Sequence, residues 1–214
     1  MHYSIIDSYS ALPVGKYLDI LAANEGDADE LDKQVATIAI LADASVDDIL
    51  ALPLADYSEL AARTAFLRSE DKGNHAVAKS YRLGGLDLIP VADAGKVTAG
   101  QFIDFQQLTK DGGMERNLPA VLSCLLVPKG KTYGNGYDIA DVQKAIRDYL
   151  SVTDALSLLA FFFASSEVLL ARSLTYSEKE AKKVKDPAKK AAIQERIKEA
   201  RAMLSPTAGA GSPQ

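Results

Sequence analysis

A predominantly helical α+β fold is predicted for this chain, made of two diverged copies of a helical unit around a small antiparallel sheet, with a charged C-terminal helix after them. Three observations carry the prediction. At a shift of 85 residues, Val14-Gly15-Lys16-Tyr17-Leu18-Asp19-Ile20 falls on Ala99-Gly100-Gln101-Phe102-Ile103-Asp104-Phe105, keeping glycine, aromatic, aliphatic and aspartate in order. Apolar residues recur at helical spacing through both segments. Between them, two alternating runs flank Gly84-Gly85, the pattern of a hairpin.

The first copy opens with a helix from Pro13 to about Ala23, with proline in the first turn, where its missing N–H costs nothing. After an acidic break comes a helix from about Asp29 to Leu41, with Leu31, Val35, Ile38 and Leu41 on its apolar face. Ser45, with Asp48 three residues on, caps a short helix from Val46 to Ala51, and Pro53 ends it. A closing helix follows from about Leu54 to Ser69.

The hairpin uses Val77, Lys79, Tyr81 and Leu83 before the glycines and Leu86, Leu88 and Ile89 after them. Ser4 to Ile6 is the expected third strand, because it precedes the first copy as Ile89 to Val91 precedes the second. In the second copy Ala36, Ile40 and Leu41 fall on Val121, Leu125 and Leu126, so both stretches read as buried helices. Further on the shift grows to 98, setting Leu52-Pro53-Leu54-Ala55-Asp56 on Leu150-Ser151-Val152-Thr153-Asp154. The 13 extra residues fall around Pro128 to Tyr137, where PKGKTYGNGY has the composition of a surface loop. Ala155 to Ser166, with Phe161, Phe162 and Phe163, reads as a buried helix.

These elements divide the chain into a first repeat with its strand over 1–75, a hairpin over 76–96, a second repeat over 97–176, a charged helical extension over 177–204 and a disordered tail over 205–214. Proline divides the extension at Pro187. Charge is polarised along the chain: residues 1–60 hold 12 acids and 2 bases, whereas 177–204 hold 9 bases and 5 acids. Such polarity can favour head-to-tail association or a charged partner, although two well-solvated faces are the plainer explanation.

Composition excludes several classes of function. A hydrophobic content of 48% with 25% charged residues is that of a globular core former. The most apolar run reaches Glu167 after about a dozen residues, against the ~20 that a membrane span needs, so no membrane partner is expected. The N-terminus lacks an export pattern, and a cytoplasmic location follows. Cys124, the single cysteine, sits among aliphatic residues and reads as a packed apolar side chain.

No cofactor or metal is expected either. Gly130-Lys131-Thr132 resembles the end of a phosphate loop, but Leu125 stands where the motif needs its first glycine. The acidic run from Glu25 to Asp32 lacks the register of a calcium loop, and its acids suit a helix N-terminus. His2 and His75 fall in no ligand or triad pattern. Paired carboxylates remain open, because such acids need only meet in space; Asp19 and Asp104, equivalent in the repeat, are the candidates. The lysines after Tyr176 alternate with acids and no aromatic follows, so nucleic acid is not expected as a partner.

The order LPVGKYLDI, DDILALPLADY, YRLGGLDLI, KVTAGQFIDFQQL, LLVPKGKTYGNGYDIADV and LSVTDALSLLAFFFASS resembles proteins encoded among the tail genes of tailed bacteriophages, of the tail assembly chaperone kind, over about residues 3 to 176. The resemblance implies a non-enzymatic role in the host cytoplasm: keeping the helical tape-measure protein soluble until tail-tube subunits assemble round it. Such a protein offers apolar grooves to amphipathic helices. The corresponding candidates here are Tyr17, Phe102 and Phe105 on the repeated helix and Phe161, Phe162 and Phe163 on the last one. Other tail proteins, or a second copy of the chain, are then the expected partners. The alternatives are a virion component such as an adaptor or baseplate subunit, and a small-ligand enzyme with spatially assembled carboxylates. The extension over 177–204 departs from a compact chaperone core.

Overall fold

The computed structural model describes residues 3–69, 76–91, 96–110 and 114–164. The chain divides into two compact units, Met1–Ala92 with Lys96–Phe161 and Asp93–Gly95 with Phe162–Gln214. Nearly all the described residues belong to the first. It is mainly helical, with one three-stranded antiparallel sheet.

Four helices open the first unit: α1 (Val14–Asn24), α2 (Glu30–Ala42), α3 (Val46–Leu50) and α4 (Leu54–Arg63), the last running into a 3-10 turn at Thr64–Arg68. Pro13 stands one position outside α1 in an extended conformation, where its fixed φ suits entry to the helix. Asp29 caps α2 by accepting from the Asp32 N–H at 2.8 Å. Ser45 and Asp48 form a reciprocal capping box on α3, and the bonds from Ser45 hold the Asp48 carboxyl below its ordinary pKa. Val35, Ile38 and Leu41 are buried as the helical spacing predicts, whereas Leu31 in the first turn of α2 is exposed.

Residues 4–6 do not form the expected third strand, because other elements take their backbone. The Ile6 N–H donates to the Leu41 carbonyl at 3.3 Å, and the Ile5 carbonyl accepts from Arg63 Nη2 at 3.3 Å. Tyr9 holds the same segment down by donating to the Leu67 carbonyl at 3.0 Å and meeting Phe66 edge-on. The core beneath gathers Ile5, Leu12, Ile20, Ile38, Leu41, Ile49 and Leu60, together with Val152 from the far end of the unit.

The hairpin is β1 (Tyr81–Leu83) and β2 (Leu86–Pro90), with Tyr81 opposite Leu88 and Leu83 opposite Leu86. Both turn glycines have positive φ, 55° at Gly84 and 87° at Gly85, as a two-residue turn of the I′ kind requires. The third strand is β3 (Leu126–Pro128), paired antiparallel to β2 with Ile89 opposite Val127. This corrects the buried helix expected through Leu125 and Leu126. The helix there, α6 (Leu118–Ser123), ends early because the Leu125 carbonyl accepts from the Val91 N–H at 2.9 Å and the next residues join β2. Pro128 is tolerated because β3 lies at the sheet edge.

Helix α5 (Ala99–Lys110) precedes α6, and α7 (Ile139–Tyr149) follows the loop over 129–138. Asp138 caps α7 by accepting from the Ala140 N–H, and Val142, Ala145 and Ile146 form its buried face. The last helix among the described residues, α8, covers residues 152–164. Ser151 starts it, its Oγ accepting from the Asp154 N–H at 3.1 Å and donating to the Asp154 carboxylate at 2.7 Å.

The start of α1 and the junction of α7 with α8 are joined directly. The Val14 N–H donates to the Leu150 carbonyl and the Val152 N–H to the Leu12 carbonyl, each at 2.9 Å. Arg147 of α7 reaches Asp19 of α1 at 2.6 Å. At Gly15 the helices are so close that a Cβ would lie 2.8 Å from both Arg147 Cγ and the Arg147 carbonyl oxygen. The second of these is backbone and cannot rotate away. Gly15→Ala is therefore expected to lower stability by about 1–3 kcal/mol through overpacking. Gly26→Ala, where nothing stands within 4 Å of the added Cβ, should change it by less than about 0.5 kcal/mol. Denaturant unfolding of the two variants checks this; equal midpoints would contradict the close approach.

Candidate functional site

Thr98 and Gln101 begin α5 with a reciprocal cap: Thr98 Oγ1 accepts from the Gln101 N–H at 3.2 Å and the Thr98 N–H donates to Gln101 Oε1 at 2.9 Å. The buried Gln101 amide then donates through Nε2 to the Cys124 carbonyl at 3.1 Å, at the end of α6. One turn later Asp104 Oδ2 accepts from the Tyr133 hydroxyl at 2.9 Å, which ties the loop after β3 to the same helix. Asn117 Nδ2 donates to the Leu108 carbonyl at 3.1 Å near the other end.

These bonds set the rotation of α5. Gln101 and Phe105, one turn apart, are buried. Phe102 and Ile103 consequently stand on the outer side, 46% and 59% exposed. An exposed phenylalanine beside an exposed isoleucine on a helix anchored by four polar contacts is the candidate site. What it offers is exposed apolar surface.

In the polar cluster beneath, burial raises the pKa of two side chains. Burial, then hydrogen bonds with Cys124 and Asp104, push the Tyr133 hydroxyl well above the ordinary tyrosine range. Burial also raises the Cys124 thiol, which lies 3.5 Å from that hydroxyl, although its hydrogen bond with Tyr133 partly offsets the rise. Both groups keep their protons near neutrality, so neither supplies a thiolate or a phenolate there. Asp19 and Asp104, the paired-carboxylate candidates, have separate partners, Arg147 and Tyr133.

The six expected contact residues separate by burial. Tyr17 lies in the core with Ile20 and Ile38, and Phe105 and Phe162 are buried as well. Phe102, Phe161 and Phe163 are exposed. Within the second unit, Phe162 meets Phe163 edge-on with centroids 6.3 Å apart. Ile103 escaped the sequence reading, as did the positioning by Gln101 and Tyr133. Thr98-x-x-Gln101, a capping-box pattern, was a usable signal for the first; the pairing of Asp104 with Tyr133 joins residues 29 apart and left none.

A cleft of about 410 Å³ lies elsewhere, between Asn24, the α2 residues Glu30, Leu31, Lys33, Gln34 and Thr37, and Thr64, Leu67 and Arg68. Gln34 accepts there from the Tyr57 hydroxyl, and Asn24 donates to the Ile20 carbonyl. Also in its lining, Lys33 Nζ lies 3.8 Å from Glu30 Oε1. Among the described residues no three His, Cys, Asp or Glu side chains gather as a metal site, and no helix is long and apolar enough to cross a membrane.

Compared with known proteins, the chain matches no family model, no curated protein and no solved structure. Fold and site together define a predominantly helical α+β protein whose candidate site is the outer face of one anchored helix.

Two measurements check the positioning of α5. Cys124 should react with a thiol reagent at mildly alkaline pH roughly 100-fold more slowly than a cysteine in an unfolded peptide, because its thiol is buried and must be exposed first. Tyr133→Phe should lower stability by about 1 kcal/mol, the worth of one part-buried hydrogen bond. Labelling of the native protein at the peptide rate would contradict the packing of the loop against α5 and α6.

Proposed function

We propose that this protein is a non-enzymatic phage tail assembly factor, chaperone-like in action, that holds the tape-measure protein or another tail protein through helix faces in the host cytoplasm. The observation that supports the reading is the exposed pair Phe102 and Ile103 on a helix whose opposite side is anchored by Gln101 and Phe105. The order of sequence motifs, similar to that of the tail assembly proteins, supplies the choice of partner.

The size of the apolar contact suits a holder that must later let go. Full burial of such a side chain contributes roughly 1.5–3 kcal/mol, and both are already about half covered, so the pair adds about 2–3 kcal/mol. At ~1.4 kcal/mol per tenfold, one copy contributes a factor of roughly 30 to 150. Several copies along a long helical client hold it by multivalency and leave it one weak contact at a time.

Co-expression with the tape-measure protein of the same phage tests this. The native chain should keep the client in the soluble fraction, and Phe102→Asp with Ile103→Asp should lose that effect while retaining the native circular dichroism spectrum. Undiminished client solubility with this double variant would overturn the assignment of the α5 face. Abundant recovery of the chain in purified mature particles would favour a virion component over a chaperone.

A further inference from the structure

A second exposed apolar surface lies on α3 and α4 and differs from the α5 face in charge. Val46 and Leu50 stand one turn apart on α3 and Leu54 opens α4; they are 46%, 63% and 78% exposed, while Ile49 and Leu60 of the same helices are buried. Between Lys33 and Arg63 the chain contains no lysine, arginine or histidine. It contains five acids there, Asp43, Asp47, Asp48, Asp56 and Glu59. Among the described residues, only Asp43 of these five has a cationic neighbour, Lys16 Nζ at 2.7 Å, and that ammonium has no other hydrogen-bonding partner there. The remaining four acids lie on the same two helices as the exposed aliphatics, Asp47 and Asp48 on α3 and Asp56 and Glu59 on α4.

The sequence contains one segment of complementary chemistry. Residues 177–204 carry 9 bases against 5 acids. After Pro187, Ile193, Ile197, Ala200 and Leu204 follow one another at intervals of four, three and four, the spacing of a single helix face, with Lys189, Lys190, Arg196, Lys198 and Arg201 between and around them. A basic segment with an aliphatic stripe matches an acidic surface with exposed aliphatics in both respects at once.

We propose that the acidic α3–α4 surface binds the segment 188–204 of a second copy, so that the protein self-associates head to tail. The two surfaces differ, so the contact is heterologous: every copy that has received a segment still offers its own. Charge guides the encounter and the aliphatic side chains supply the contact, so the assembly weakens, without vanishing, as salt screens the charges over ~8 Å or less. This inference is independent of the tail assembly reading, since it concerns contact between copies of one chain.

The test uses full-length chains in sedimentation velocity across a wide concentration range at low and high salt. The native protein should form assemblies larger than a dimer that grow with concentration and shrink with salt. A face variant, Leu50→Asp with Leu54→Asp, and a segment variant, Lys189→Glu with Lys190→Glu and Arg196→Glu, should each associate at least about tenfold more weakly. An equimolar mixture of the two should form a one-to-one dimer, because one variant retains an intact segment and the other an intact face. A native protein that stays monomeric throughout overturns the proposal, as do variants that assemble like the native chain or a mixture that remains monomeric. Should the face variant lose its circular dichroism signal, Asp47→Lys with Asp56→Lys replaces it, and the same outcomes apply.

Discussion

The close approach of α1 to α7 at Gly15 is the constraint on which the rest of the first unit depends. A side chain there would collide with the Arg147 carbonyl, so only glycine lets the two helices come near enough for Asp19 to reach Arg147. The same approach lets the backbones on either side exchange the bonds Val14 to Leu150 and Val152 to Leu12. The ion pair itself is half exposed and contributes little, in the range of ~0–1 kcal/mol. The backbone bonds and the buried Val14, Leu150 and Val152 beside them do more. Through that junction Val152 enters the core made by α1, α2 and α4, and residues far apart in the chain close one packed unit.

A second group of contacts decides what this unit presents. Gln101 spends one end of its amide on the cap of α5 and the other on the Cys124 carbonyl, and Asp104 receives the Tyr133 hydroxyl. With those groups committed inward, α5 has one rotation left, and it puts Phe102 and Ile103 in water. A polar cluster that resembles reactive chemistry in a residue inventory thus has a structural role: it holds its protons and sets the direction of an apolar face. The exposed apolar pair and the polar anchoring are two sides of the same helix.

Much of the fold was legible in the sequence where the information is local. The capping box at Ser45, the apolar Val35, Ile38 and Leu41 of α2 and the Gly84-Gly85 turn each depend on residues a few positions apart, and each stands where local chemistry puts it. What depends on distant pairing was not legible. The third strand is Leu126–Pro128 because β2 had a free edge there, and no local signal separates that short aliphatic run from the end of a buried helix. The internal similarity has the same limit. A Cβ at Gly15 would collide with Arg147 while one at Gly100 would meet Thr98 Oγ1 at an ordinary 4.0 Å, and Tyr17 is buried while the matching Phe102 is exposed, so aligned residues do different work. Burial of aromatics depends on which face meets a neighbour, which is why Tyr17, Phe105 and Phe162 could not be separated in advance from Phe102, Phe161 and Phe163.

Native-state hydrogen exchange tests most directly whether the α1–α7 junction makes the two sequence halves one cooperative unit. A single unit predicts that the slowest amides of α1 and α2 and those of α6 and α7 open with the same free energy and lose protection together as denaturant is added. Separate opening free energies, with one half exchanging while the other stays protected, would contradict it and would mean that the halves fold on their own.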